Sequence, residues 1–99
     1  MHNVMIKDGK REITFLASAI LFKVGDIQHI MHGDRHWNII QQIAEAGLTD
    51  DYKQSHTDGF LCRLYNGDIT FISRDNATLI AKRANHPMEG SVLTSEDLW

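Results

Sequence analysis

A mainly apolar segment, Val4 to Lys7, breaks at Asp8-Gly9, and a longer one follows from Glu12 to Lys23. That pattern predicts a hairpin of one short and one longer strand. Ile13 to Phe22 reads ITFLASAILF, a run without a charge. Its β-branched and aromatic members predict a buried strand. Val24-Gly25-Asp26 predicts a second turn, and Ile27 to Met31 a short third strand. Gly33-Asp34 then breaks the pattern, with Asp34 as the expected N-cap. Trp37, Ile40, Ile43, Ala44 and Gly47 follow at helical spacing, so a helix is expected over Arg35 to Ala46. Gly47 suits a left-handed stop just past it.

Thr49 to Asp58 is polar, carries no periodicity and reads as a loop. Phe60 to Leu64 and Asp68 to Ile72 read as two strands joined by Asn66-Gly67, a strong hairpin turn. Ser73 is the expected cap of a second helix, Arg74 to Asn85, with Ala77, Ile80, Ala81 and Ala84 on one face. Asn85-His86-Pro87 stops that helix. Glu89-Gly90 reads as a turn, Ser91 to Leu93 as a last strand, and Thr94 to Trp99 as a tail. No repeat or low-complexity run interrupts the chain. The sum is an α+β domain, a small antiparallel sheet with two α-helices.

The 99 residues leave room for one domain, residues 1–99. A domain of this size buries only about 60–65% of its unfolded surface, so assembly into oligomers would help it. Apolar residues make up 42% and charged residues 23%, which argues against wholesale disorder. The net charge of -3 argues against a nucleic-acid polymer as partner, which calls for a basic face. A small phosphorylated ligand stays open, because a few converging arginines can hold one. The apolar run is too short for a membrane span, which needs about 20 residues. It is also a poor signal peptide: only Ile13 to Leu16 precede the small residues Ala17-Ser18-Ala19, and Asp8 and Glu12 sit in the would-be basic region. The single cysteine, Cys62, excludes an internal disulfide and fits a reducing cytoplasm.

Candidate chemistry centres on the helix starts. Gly33-Asp34-Arg35-His36 opens the first helix, where free N–H groups and a partial positive charge favour a phosphate. The plainer alternative is Arg35 paired with Asp34 or solvated. Ser73-Arg74 opens the second helix in the same way, or is an ordinary cap. If the two starts converge, they could hold the two phosphates of one diphosphate. Phe60, directly after Asp58-Gly59, is either a stacking platform for a base or the first core residue of its strand. Lys82 and Arg83, with His86, either complement the helix dipole or face phosphates across an interface. His29, His32 and His36 do not complete a tetrahedral metal set, so no metal or other cofactor is expected. Cys62, flanked by Leu61 and Leu64, reads as a buried inert thiol, and no His begins a His-x-Ser/Thr element of a two-histidine phosphoesterase. No catalytic residue is assigned.

The order of these motifs resembles a known family. Gly33-Asp34-Arg35-His36 with Ile39-Ile40 is followed by Asp58-Gly59-Phe60, then by Phe71-Ile72-Ser73-Arg74 with Ala77 and Ala81. The close is Leu93-Thr94-Ser95-Glu96-Asp97-Leu98-Trp99. From Ala17 to Trp99 this is similar to the phage-encoded Thoeris anti-defence 1 family. The resemblance implies a non-catalytic sponge in the bacterial host cytoplasm that sequesters glyco-cyclic ADP-ribose signals uncleaved. It implies a homo-oligomer, a dimer or a hexamer built from dimers, with cyclic di- or trinucleotides as further ligands. It places base stacking on Phe60, phosphate contact on Arg35 and a polar ligand contact on Ser73. Asn85-His86 stand where a Gly-Gln pair is usual, and Pro87 to Val92 lacks the usual arginines, which weakens the second nucleotide site; Lys82 and Arg83 are the available substitutes. Two other readings remain: a small module that inhibits a host protein through Trp99 and the acidic tail, and a nucleotide-degrading phosphodiesterase with His36 or His32 as base.

Overall fold

The long central strand organises the molecule. The computed structural model describes all 99 residues. In chain order they form β1 (Val4–Asp8), β2 (Arg11–Val24), β3 (Ile27–Gly33), α1 (His36–Glu45), α2 (Thr49–Gln54), β4 (His56–Arg63), β5 (Ile69–Ser73) and α3 (Arg74–Arg83), closed by a 3-10 turn at Ser95–Asp97. All five strands belong to one antiparallel sheet, which bears out the α+β reading. β2 is long enough to pair with β1 along its first half and with β3 along its second, while β4 runs along its other edge. A bulge between Phe15 and Ala17 sits where the partner changes.

Phe15, Ser18, Ile20 and Phe22 of β2 point to the face that carries the helices. α3 covers one half of that face, burying Ala77, Ile80 and Ala81 against Ile13, Phe15, Phe60 and Cys62. α1 covers the other half, burying Ile39 and Ile43 against Ile20 and Phe22. No helix is long and apolar enough to cross a membrane.

Four expectations need correction. The polar stretch from Thr49 holds a helical turn, α2, and the first residues of β4 rather than a loop. Its Tyr52 packs against the α1 cluster, an anchor that a lone aromatic among polar residues does not advertise. Ser91–Leu93 is not a strand. Leu93 is a buried plug whose N–H donates to Thr78 Oγ1 at 3.0 Å, so the sheet is not its partner. The inward face of α1 is Ile39 and Ile43, whereas Trp37 is 66% exposed and Ile40 points outward. The cap of α1 is Arg35 instead of Asp34, its N–H donating to Asn38 Oδ1 at 3.0 Å. Ser73 caps α3 as expected, accepting from the Asn76 N–H. Asn85, in the left-handed region at φ 56°, ends α3, with the His86 N–H donating to the Ala81 carbonyl.

Candidate functional site

The register brings the two expected anion sites together. β3 leaves the sheet at Gly33, which pairs with Ser18; Ser18 pairs with Phe60, and Phe60 with Ile72. So β3 and β5 end on one row across the sheet, approaching it from opposite directions. α1 and α3 then fold back over opposite halves of the same face. Their N-termini meet head to head above Phe60, with both partial positive charges directed at one place.

The side chains confirm the meeting. Arg74 Nη2 lies 3.4 Å from His36 Nδ1, and Arg74 Nη1 lies 3.7 Å from Asp58 Oδ2. Arg35, His36 and Arg74 line one hollow of about 270 Å³ with Trp37, Thr94 and Ser95. Ser73 lines an adjoining, wholly polar hollow of about 280 Å³ with Asp58 and Asp75, and Arg74 belongs to both. Arg74 Nε and Asp58 Oδ1 are buried without a hydrogen-bond partner. Arg35 is held at the mouth: Nη1 donates to Ser95 Oγ at 2.9 Å and Nη2 to the Trp99 carbonyl. Burial, then the charge of Arg74, pushes the His36 imidazole below its ordinary range. With the imidazole neutral, the positive charges of the cluster are the two guanidinium groups, and Asp58, Asp75 and Glu96 line the same two hollows.

Three expected contacts fall elsewhere. Phe60 is fully buried, its ring edge-on to Phe15, His36 and Trp99. It floors the site and offers no free face to a base, because its position in the row puts it directly under both helix starts. Lys82 and Arg83 occupy the far end of α3, roughly 12–14 Å along the helix from Arg74. There Arg83 pairs with Asp8 at 2.9 Å.

The C-terminal residues belong to the site, which sequence reasoning missed. The Trp99 indole N–H donates to the Asp34 carbonyl at 3.0 Å, and its ring stacks on His2 at 4.3 Å. The Thr94 N–H and hydroxyl both donate to Asp97 Oδ2, at 2.9 and 3.2 Å. Thr94-x-x-Asp97 is a capping signature and was the available signal. Trp37 was missed as the accessible ring because its spacing matched the apolar face of α1. Burial pushes the Cys62 thiol up to about 12, so it stays protonated at neutral pH. No three His, Cys, Asp or Glu side chains gather where one metal ion could sit. No family model, curated protein or solved structure matches this chain.

Proposed function

We propose that this chain binds a small diphosphate-bearing nucleotide of the cyclic ADP-ribose class at the junction of α1 and α3, and releases it unchanged. In this reading it is a phage sponge acting in the host cytoplasm, which removes the signal of a Thoeris-type defence by mass action. The observation that supports it is the head-to-head meeting of two helix starts bearing Arg35, His36 and Arg74. Each phosphate gains charge-assisted donors there, which are roughly twice as strong as neutral ones. Trp37, exposed on the rim, is the ring available to a base, in place of Phe60. A Kd near 10 nM needs about -11 kcal/mol, within reach of one stack and a few phosphate contacts on a preformed site.

The test is recovery of the ligand. Glyco-cyclic ADP-ribose is titrated calorimetrically, and the complex is then heat-denatured. The reading expects tight binding by wild type, at least tenfold weaker binding by Arg74→Ala, and intact ligand in the supernatant. A hydrolysed product would instead mark the chain as a phosphodiesterase with His36 as base. No binding at all would leave the protein-inhibitor reading, which the exposed Trp37 and Ile40 of α1 favour.

A further inference from the structure

The two guanidinium groups at the helix starts differ in how far the chain itself occupies them. Arg74 keeps a buried Nε without a partner and only a long pair with Asp58. Arg35 has both arms taken by neutral oxygens from the residues that follow Leu93. Nη1 donates to Ser95 Oγ and Nη2 to the Trp99 carbonyl. A phosphate that engages Arg35 fully has to take the place of one of them.

Trp99 is fastened through its side chain to the approach of α1. The indole N–H donates to the Asp34 carbonyl at 3.0 Å. The ring stacks on His2, 4.3 Å between centroids and 11° between planes, and His2 is itself paired with the Asp34 carboxylate. Of the three rings edge-on to Phe60, Phe15 and His36 are fixed in β2 and α1, whereas Trp99 belongs to no helix or strand. The residues just before it have anchors of their own on α3 and the loop beyond it. The Leu93 N–H donates to Thr78 Oγ1, the Glu89 N–H donates to Asp97 Oδ1 at 3.1 Å, and His86 Nε2 lies 3.0 Å from the Asp97 carbonyl. Leu98 packs on the α3 cluster. Trp99 can therefore leave Arg35 while the turn at Ser95–Asp97 keeps its place.

We infer that Trp99 is a latch on the α1–α3 junction, a built-in competitor that a phosphate displaces from Arg35. The inference rests on the reading of that junction as a diphosphate site and adds its regulation. A phosphate oxygen is a charged acceptor where the Trp99 carbonyl is neutral, and charge-assisted bonds are roughly twice as strong. At Arg35 the exchange favours the ligand; the indole contacts with Asp34 and His2 favour the latched form. The apparent Kd is then the intrinsic one divided by the unlatched fraction, so loosening the latch tightens binding. A Trp99 that merely props Arg35 in position gives the opposite sign, because loosening a prop weakens binding. His2 sharpens the contrast. A histidine carries no charge or a positive one, so its removal by electrostatics alone never strengthens an anion site, whereas removal of a latch contact does.

Calorimetric titration of the full chain with inorganic pyrophosphate, and separately with glyco-cyclic ADP-ribose, tests the latch. Trp99→Ala and His2→Ala should each bind both ligands roughly threefold or more tighter than wild type, the scale of one released hydrogen bond. Adding Arg35→Ala should abolish that gain, because the latch acts through Arg35. In wild type labelled with fluorotryptophan, the Trp99 fluorine resonance, assigned by its loss in Trp99→Ala, should become solvent-exposed as pyrophosphate is added. Should Trp99→Ala fail to fold, His2→Ala decides. Binding by the latch variants alone, with wild type silent, supports the latch in its strongest form. Equal or weaker binding by the variants of a ligand that wild type binds overturns the latch and leaves the nucleotide reading standing, as does a Trp99 resonance that stays covered while pyrophosphate binds. Binding of neither ligand by any of these proteins overturns both.

Discussion

His36 and Arg74 are 38 residues apart in the chain, yet Arg74 Nη2 stands 3.4 Å from the His36 ring. Each opens a helix, so their contact measures how closely the two N-termini approach. Asp58, 3.7 Å from Arg74, partly offsets this positive cluster, and Asp75 and Glu96 line the same hollows. An arrangement of like dipole ends costs stability in the free protein, and a bound anion would relieve that cost.

The first prediction concerns pH and stability. Burial and Arg74 lower the His36 pKa in the fold from the ordinary 6.5. Between the two values the unfolded chain holds the proton more tightly than the folded one. The stability His36 contributes is therefore fully present above about pH 6.5 and is lost as pH falls through the folded value. Urea unfolding between about pH 5 and pH 8 should show weaker protein on the acid side. His36→Gln should flatten that slope; an unchanged slope would place its origin in other groups.

Binding should show the opposite trend. A phosphate beside His36 favours the imidazolium, so binding takes up a proton. Affinity for a cyclic ADP-ribose is expected to rise as pH falls from about 8 to about 6. Calorimetry in two buffers of different ionisation enthalpy reads the proton directly. Proton release would place the anion away from His36.

Arginine substitutions should separate the two ends of α3. Arg74→Ala should cut ligand affinity at least tenfold but change stability by less than about 1 kcal/mol, since its pair with Asp58 is long and partly solvated. Arg83→Ala, which breaks the Asp8 pair, should leave affinity unchanged. Equal losses of affinity from both would point to a site along the whole helix.

How much of this was legible follows from where each signal resides. Turns and caps are local, so Asn66-Gly67, Ser73 and Gly47, which adopts φ 74°, could be read directly. Convergence of Arg35 with Arg74 is not local. It depends on Ser18 pairing at once with Gly33 and Phe60, a register that no single segment encodes. Phe60 was ambiguous because a strand-opening aromatic after glycine suits a platform or a core equally; only the helices above it decide. Trp37 and Ile40 misled because α1 is amphipathic in two adjacent registers, and Ile39 and Ile43 won by facing Ile20 and Phe22. The true anchors of the C-terminal residues, Thr78 for Leu93, which reads as part of a strand, and Asp34 for Trp99, which reads as part of a tail, lie far away in sequence.

Phe60 makes the sharpest distinction between core and platform. With its ring fully buried, Phe60→Ala should cost about 3–5 kcal/mol. At about 4–8 °C of melting temperature per kcal/mol, a thermal scan would register a drop well above 10 °C. A variant that kept its melting temperature but lost the nucleotide would return Phe60 to the role of an open platform.

Gly59→Ala tests whether the sheet itself positions the site. A Cβ at Gly59 would stand 2.2 Å from the Ile72 carbonyl oxygen and 2.7 Å from Phe71 Cζ. The Phe71 ring can swing aside, but the carbonyl is part of the β4–β5 ladder and can retreat only by loosening that pairing. Gly59 pairs with Ser73, the cap that starts α3 and precedes Arg74. Strain at Gly59 is thus delivered to the very junction that aims the guanidinium. The expected outcome is a loss of about 1–3 kcal/mol in urea unfolding, with nucleotide affinity reduced even where the protein remains folded. Gly33→Ala is the control on the other arm of the site: its nearest contact would be Ile39 Cγ1 at 3.2 Å, tight but against a side chain and a full ångström longer than the carbonyl contact at Gly59. It should be the milder of the two in both measurements, and the reverse order would mean that α1, rather than the β5–α3 junction, sets the geometry of the pocket.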